Sequence, residues 1–400
     1  MNNLTEESTD APHKRMILPD PVDKSDDLAV IGIDCLSLPA RFSGAAIYIY
    51  HLAAGLLKSH RDFRIILFCK PEHMKLFEPD LQNQDRIFPV PLKNRLHLLY
   101  FYEYRLQKIL LSENVGLFHA THYICPPIHP AYKMITTFHD MGFIQHPANY
   151  PFAKRLYFGL RIPHFLRRAD LVITVSQTTQ ASISEIFPQF RHKLRVIHPG
   201  TDHLKPIIPL RGTIAKNSKK YILAVNSFEK RKNIPFIINL FNHLKTEYDL
   251  PHQLFLIGHA NNGYSEIRRA IKRSPYRAEI KIRQSISDEE LTQFYRDADF
   301  FINASEYEGF GFTPFEAIRH HLPAFILENG VTSEIFGSRK TILSEPDIST
   351  WAKVIMSELN CGFKNKITKD KIDPLNWDSC IRKVSQLYPH TLNIRSAVRA

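Results

Sequence analysis

Short apolar runs alternate with amphipathic helical repeats along nearly the whole chain, and this alternation limits the folds open to it. The first run is LAVIGID, Leu28 to Asp34, followed by the loop CLSLPARFSG and a helical pattern in AAIYIYHLAAGLLK. FRIILFC, the helical stretch around YFYEYRLQKILLSE, GLFHA, KMITTFHD, ADLVITVS with a helix after it, and KLRVIHPG continue the series. Strand-type runs that alternate with helices predict a parallel sheet covered by helices on both faces.

From about Thr201 to Lys219 the pattern lapses into a connection containing Pro and Lys, and then a second series begins. It consists of YILAVNS, the helix in NIPFIINLFNHLKTEY, HQLFLIG, EIKIRQ, the helix SDEELTQFYRDA, DFFINAS, a helix after Thr313, and LPAFIL. A chain of 400 residues is too long for one ordinary core. The expected organisation is a loose polar tail over 1–27, a doubly wound domain over 28–200, a linker over 201–219 and a second doubly wound domain over 220–400.

Hydrophobic residues at 44% and charged residues at 23% fit a soluble globular protein. No apolar run approaches the roughly 20 residues needed to span a bilayer. The start MNNLTEESTDAPHKR lacks the apolar stretch of a signal peptide, so a cytoplasmic location is expected. Cys35, Cys69, Cys125, Cys361 and Cys380 form no C-x-x-C pair and read as reduced, mostly buried thiols. The net charge of +12 points to an anionic partner: nucleic acid, an acidic membrane or a phosphorylated substrate.

The stretch SEYEGFGFTPFEA, Ser305 to Ala317, is the most informative. TPFE reads as a helix start, with Thr313 at the N-cap, Pro314 at the first helical position and Glu316 as a capping-box acid. EYEGFG would leave the carboxyl end of the buried strand DFFINAS, where doubly wound sheets bind ligands. There Gly309 and Gly311 let the backbone approach a phosphate, and the free N–H groups of the following helix would hold it.

The run EGFGFTPFE, with glutamates eight positions apart, resembles the E-x7-E signature of retaining glycosyltransferases of family 4, which have the GT-B fold: two Rossmann-like domains facing across a cleft. The resemblance implies that Glu308 contacts the donor sugar, Glu316 the nucleotide ribose, and the backbone amides of Phe310 to Phe312 the diphosphate. YILAVNSFEKRKNI is similar to the family's phosphate-binding loop and carries Lys232, with Arg231 beside it, onto the diphosphate. SDEELTQFYRDADFFINAS and VIHPGTD extend the match. In the first domain RFSGAAIYIYHLA resembles the family's glycine loop, with Gly44 as the close-approach glycine and Ala46 where a second glycine is common. TTFHDMGF resembles its H-D element and implies catalytic roles for His139 and Asp140.

Other features carry plainer readings. Asp297-Ala298-Asp299 spells a D-x-D metal motif but falls at the end of an amphipathic helix capped at Ser287, and reads as ordinary structure. His119, His122, His320 and His321 lack a third ligand at metal spacing. His320 and His321, and GSRK at Gly337 to Lys340, depart from the family pattern. Asn149 to Arg168 interleaves Lys154, Arg155, Arg161, Arg167 and Arg168 with Phe152, Tyr157, Phe158 and Phe165. It is either a packed helix or a face for anionic lipid.

The expectation is a retaining hexosyltransferase that uses a nucleoside-diphosphate sugar, no cofactor and no metal. The acceptor would be a glycan or lipid-linked saccharide in polysaccharide biosynthesis. The similarity of FEKRKN to a loop of bacterial mannosyltransferases implies GDP-mannose as the donor. A sugar-nucleotide epimerase or phosphorylase of similar fold, or a basic nucleic-acid-binding protein, are the alternatives, although the chain shows no recognisable nucleic-acid module.

Overall fold

A computed structural model of the chain describes residues 28–39, 44–150, 152–204, 220–364 and 366–393. The expected tail and most of the expected linker lie outside the described residues. The first sheet is built from β1 (Ala29–Asp34), β2 (Phe63–Cys69), β3 (Arg86–Pro89), β4 (Leu117–Ala120), β5 (Lys133–Phe138), β6 (Leu171–Thr174) and β7 (Leu194–Val196). Its spatial order is β3-β2-β1-β4-β5-β6-β7. The second contains β8 (Tyr221–Val225), β9 (Gln253–Ile257), β10 (Ile280–Arg283), β11 (Phe300–Asn303), β12 (Ala324–Leu327) and β13 (Ile342–Leu343), in the order β10-β9-β8-β11-β12-β13.

All these pairings are parallel, with Ile31 of β1 opposite both Ile65 of β2 and Leu117 of β4. The strand order reverses between β1 and β4 and between β8 and β11. The loops that leave those strands' carboxyl ends are where a doubly wound sheet opens a crevice. The short edge strands β3 and β13 carry too few residues for a clear alternation and are absent from the sequence reading.

Helices α1 (Ala45–Lys58), α2 (Arg95–Tyr100), α3 (Leu106–Ser112), α4 (Gly142–Gln145), α5 (Phe152–Arg168) and α6 (Gln177–Ile186) accompany the first sheet. A π-helical turn, Phe101–Arg105, joins α2 to α3. The second sheet is followed through α7 (Ile234–Tyr248), α8 (Tyr264–Arg273), α9 (Asp288–Asp297), α10 (Phe312–Arg319), α11 (Gly330–Phe336) and α12 (Ile348–Asn360). At Ser287 the expected cap is present, as a full capping box with Glu290 that starts α9.

The last helix, α13 (Trp377–Leu392), corrects the expectation that 220–400 forms one domain. It returns to the first domain and packs on α1, β4 and β5. Gly55 of α1 makes room for it: a Cβ there would lie 2.0 Å from Ile381 Cδ1. Periodicity along a chain identifies an amphipathic helix but not the sheet that receives its apolar face, so the crossing was invisible in the sequence.

The two chain crossings run side by side. Thr201 N–H donates to the Leu375 carbonyl at 2.8 Å, and Trp377 N–H donates to Asp202 Oδ1 at 2.9 Å. Arg319 of α10 ties both together, donating to Thr201 Oγ1 at 2.7 Å and to the carbonyls of Ile372 and Leu375 at 3.2 and 3.1 Å.

Buried His119 on β4 anchors α13. Its Nδ1 shares a hydrogen bond with the Tyr388 hydroxyl and its Nε2 one with Thr137 Oγ1, both 2.9 Å. Burial, followed by the neighbouring His139, pulls its pKa down to about 3, so the ring is neutral. Tyr388→Phe leaves one imidazole nitrogen unpaired in the core and is expected to cost about 1–3 kcal/mol. Urea unfolding measures this, and an unchanged midpoint would show that α13 is not anchored at His119.

Candidate active site

The second domain's wall starts with the loop after β8. A tight turn at Lys230–Lys232 ends at Asn233, whose φ of 47° an asparagine tolerates, and Pro235 then opens α7. This geometry turns Arg231 and Lys232 toward the loop that leaves β11. Glu308 of that loop is held between them. Arg231 Nη1 donates to Glu308 Oε2 at 2.9 Å, and Lys232 Nζ donates to Glu308 Oε1. Arg231 Nε is also bound to Glu229 Oε2 at 2.7 Å, and Arg231 Nη1 to the Tyr307 carbonyl at 2.7 Å.

Glu308 and Lys232 are each only 7% exposed. Burial alone would raise the Glu308 carboxyl, but the adjacent Lys232 and Arg231 charges outweigh it and hold the pKa at about 2. Burial likewise opposes the Arg231 charge, and Glu308 and Glu229 more than compensate.

Gly311 follows with φ 76°, a left-handed angle that favours glycine, and serves as the N-cap of α10. Among the described residues no side chain caps this helix, so the N–H groups of its first turn are left for a ligand. This corrects the reading of Thr313 as N-cap. The left-handed turn at Gly311 starts the helix earlier, at Phe312, and the Thr313 hydroxyl instead receives a hydrogen bond from Asn303 Nδ2 at 3.4 Å. Glu316 is therefore no capping acid. It is buried and accepts hydrogen bonds from Tyr295 Oη at 2.6 Å and His203 Nε2 at 2.9 Å.

The first domain supplies the facing wall. Gly44 precedes α1 with φ 52°, and a Cβ there would meet none of the described residues within 4 Å, so the backbone angle favours glycine. His139 follows β5 and donates from Nε2 to the Thr121 carbonyl at 2.8 Å. A carbonyl only accepts, which fixes the proton on Nε2 and leaves Nδ1 as the acceptor. Burial lowers the His139 pKa and favours the neutral ring. The Tyr48 ring meets it edge-on, with centroids 5.1 Å apart. Asp140 accepts from Gly142 N–H at 2.9 Å, and its charge adds to the field that holds Arg231 protonated.

The two walls touch. A Cβ on Gly309 would lie 1.8 Å from the His139 carbonyl oxygen. Ser176 Oγ donates to the Gly309 carbonyl at 2.7 Å, and Met141 N–H to the Tyr307 hydroxyl at 2.8 Å. Glu334 of α11 accepts from Gln177 N–H at 2.9 Å, Thr178 N–H at 3.1 Å and His198 Nε2 at 2.6 Å.

Between the walls lies a cavity of about 890 Å³, within the size range of small-molecule sites. Gly44, His139, Asp140, Arg231, Lys232, Glu308, Gly309, Phe310, Gly311, Phe312 and Glu316 all line it. Sequence reasoning missed Tyr48, Glu229, Asn226 and the Ser285–Ile286 turn on the same cavity, and also His203 and Tyr295, which position Glu316. Glu229 carried a signal, an acid two residues before Arg231; Tyr295 and His203 meet Glu316 only through the fold. The D-x-D acids point elsewhere, Asp297 to Arg296 and Asp299 to His252 and Lys220. Among the described residues no group of three or more His, Cys, Asp or Glu side chains is placed to hold a metal.

The depressed Glu308 pKa fixes the sign of an acid dependence. The stabilisation by the Glu308 carboxylate is complete above its ordinary pKa of 4.5 and is lost as pH falls to about 2. Glu308→Gln is expected to lower stability near neutral pH by about 3 kcal/mol. The gap between the two proteins should close between pH 4.5 and 2. Denaturant unfolding at several pH values measures the gap, and a constant gap would contradict the assignment.

Comparison with known proteins agrees with this geometry. Residues 42–204 match the family model described as Glycosyltransferase Family 4, and residues 210–371 match Glycosyl transferases group 1. An O-antigen chain mannosyltransferase B from Escherichia coli is 22% identical over 284 residues, covering 68% of this chain and 74% of that protein. A sucrose-phosphate synthase structure from Thermosynechococcus elongatus superposes with a TM-score of 0.69 at 19% identity, covering 90% of this chain and 98% of that one. The Anabaena protein HepE, in complex with UDP-glucose, gives a TM-score of 0.67 at 16% identity, with 90% and 99% covered. The chain is a glycosyltransferase of the GT-B fold and belongs to glycosyltransferase family 4.

Proposed function

We propose that the protein transfers a hexose from a nucleoside-diphosphate sugar to a saccharide acceptor, free or lipid-linked, with retention at the anomeric carbon. The observation that carries this reading is Glu308 held between Arg231 and Lys232 at the uncapped start of α10. A diphosphate on this spot meets two cations and free backbone N–H groups, and Glu308, whose negative charge they now balance, is left beside the sugar. The mannosyltransferase relative supports mannose, and with it GDP-mannose, as donor.

Breaking the bond from C1 of the sugar to the phosphate oxygen builds negative charge on the diphosphate and positive charge on the ring. Arg231, Lys232 and the α10 amides stabilise the former, which is the larger share of the catalysis. They also supply the positive charge a metal would otherwise bring, so the reaction needs none. The acceptor hydroxyl attacks C1 on the face the diphosphate leaves, and its proton passes to the departing phosphate oxygen. His139 and Asp140 face this point from the first domain, and Glu316 holds the ribose. Closure of the two walls keeps out water that would hydrolyse the donor.

The test is donor hydrolysis across common nucleotide sugars, followed by transfer to saccharide acceptors. Turnover is expected with one nucleoside-diphosphate hexose, first GDP-mannose, and with the anomeric configuration kept. Lys232→Ala should lower kcat about 10²–10³-fold, and a metal chelator should leave the rate unchanged. Activity abolished by chelator and restored by manganese would overturn the metal-free reading. Release of an epimerised sugar nucleotide without acceptor would overturn transfer itself.

A further inference from the structure

The surface of the first domain carries two exposed apolar stripes where a globular protein has polar helix faces. On α2 and the π-turn, Leu96, Tyr100 and Tyr104 are 77%, 51% and 62% exposed; on α5, Phe152, Leu156 and Leu160 are 72%, 52% and 64% exposed. Each set recurs every four residues, so each forms a line on one side of its helix.

The stripes are neighbours. Arg161 Nη2 donates to Glu103 Oε2 at 2.7 Å, and Arg168 Nη2 donates to Glu103 Oε1 at 3.0 Å. Glu103 adjoins Tyr104, and Arg161 adjoins Leu160, so the bridge joins the two segments that carry the lines. Part of Asn149 to Arg168 follows the packed-helix alternative. Arg161 and Arg168 are occupied by Glu103, and Phe158 and Phe165 are buried in the core. Of the aromatic residues named there, Phe152 alone belongs to the exposed stripes; the other five stripe residues are Leu96, Tyr100, Tyr104, Leu156 and Leu160, and the first three lie outside that segment.

We infer that this two-helix face docks the protein on the surface of an anionic bilayer. Charge selects that occupant. Residues 91–112 and 149–168 together carry nine Lys and Arg against the single acid Glu103, which is already paired. Lys93, Arg105, Lys108, Arg155 and Arg167 are exposed around the stripes, and none has an ion-pair partner among the described residues. A second copy bringing the same face would set these charges against each other, whereas anionic headgroups complement them. Apolar side chains at the centre of a basic face are the pattern of a helix lying in the interface plane.

The face also adjoins the reaction site. Tyr150, two residues before Phe152, lies in the electrostatic field of Asp140, Arg231 and Glu308. Docking by this face would bring the domain that supplies one wall of the cavity to the headgroups, which suits a saccharide acceptor carried on a lipid. The docking itself does not depend on the proposed transfer.

Co-sedimentation of the full chain with phosphatidylcholine vesicles, with and without phosphatidylglycerol, tests it. Binding should require the anionic lipid and fall as salt rises. Each basic residue near such a surface multiplies binding about fivefold, so Arg155→Glu with Arg167→Glu should weaken it by at least about 25-fold. Leu156→Ser with Leu160→Ser should weaken it as well while leaving the melting temperature and transfer to a soluble acceptor unchanged. The proposal falls if anionic vesicles fail to bind the protein, if neutral vesicles bind it equally, or if the variants bind like the parent. It also falls if the parent is a dimer that the leucine variant dissociates, which would make the face a self-interface. Loss of transfer with vesicle binding intact would count against the proposed chemistry and leave the docking standing.

Discussion

A buried carboxylate gripped by two cations sets the terms for everything else in the cleft. Desolvating three charges costs several kcal/mol per ion, and only close pairing offsets it. The fold therefore has to bring the turn after β8 and the loop after β11 together with both at full length. The left-handed residues Asn233 and Gly311 achieve this, one on each side of the clasp. Because Glu308 is held by side chains from a different loop, the first turn of α10 is left uncapped and available.

At their tightest point the two walls meet through backbone. Gly309 meets the His139 carbonyl with no space for a methyl group, so any other residue would push the walls apart. Arg319 sits on the same helix as Glu316 and is bonded to both chain crossings. The helix that carries Glu316 is thus joined directly to both chain crossings by hydrogen bonds.

Much of this was legible because the signals are local. DFFINAS and YILAVNS are continuous apolar runs, so two parallel sheets follow from patterning, and the two glycines between Glu308 and Phe312 mark a close approach of backbone to ligand. The same locality explains the errors. T-x-x-E at Thr313 to Glu316 satisfies a capping box on paper, but Gly311 can adopt an angle the others resist and starts the helix two residues sooner. Arg161 and Arg168 look like lipid contacts until Glu103, some sixty residues earlier, is found between them. The partners of Glu316 come from His203 and Tyr295, whose roles no spacing rule reports.

The return of α13 to the first domain means that this half of the protein is encoded in two pieces, with the second sheet and its helices between them. Gly55 and Ile381 must match each other although more than three hundred residues separate them. Recombination with a relative at the linker would join an α1 to an α13 shaped for another partner, burying a mismatch in the core. A chimera meant to keep the fold must carry α13 along with the first domain.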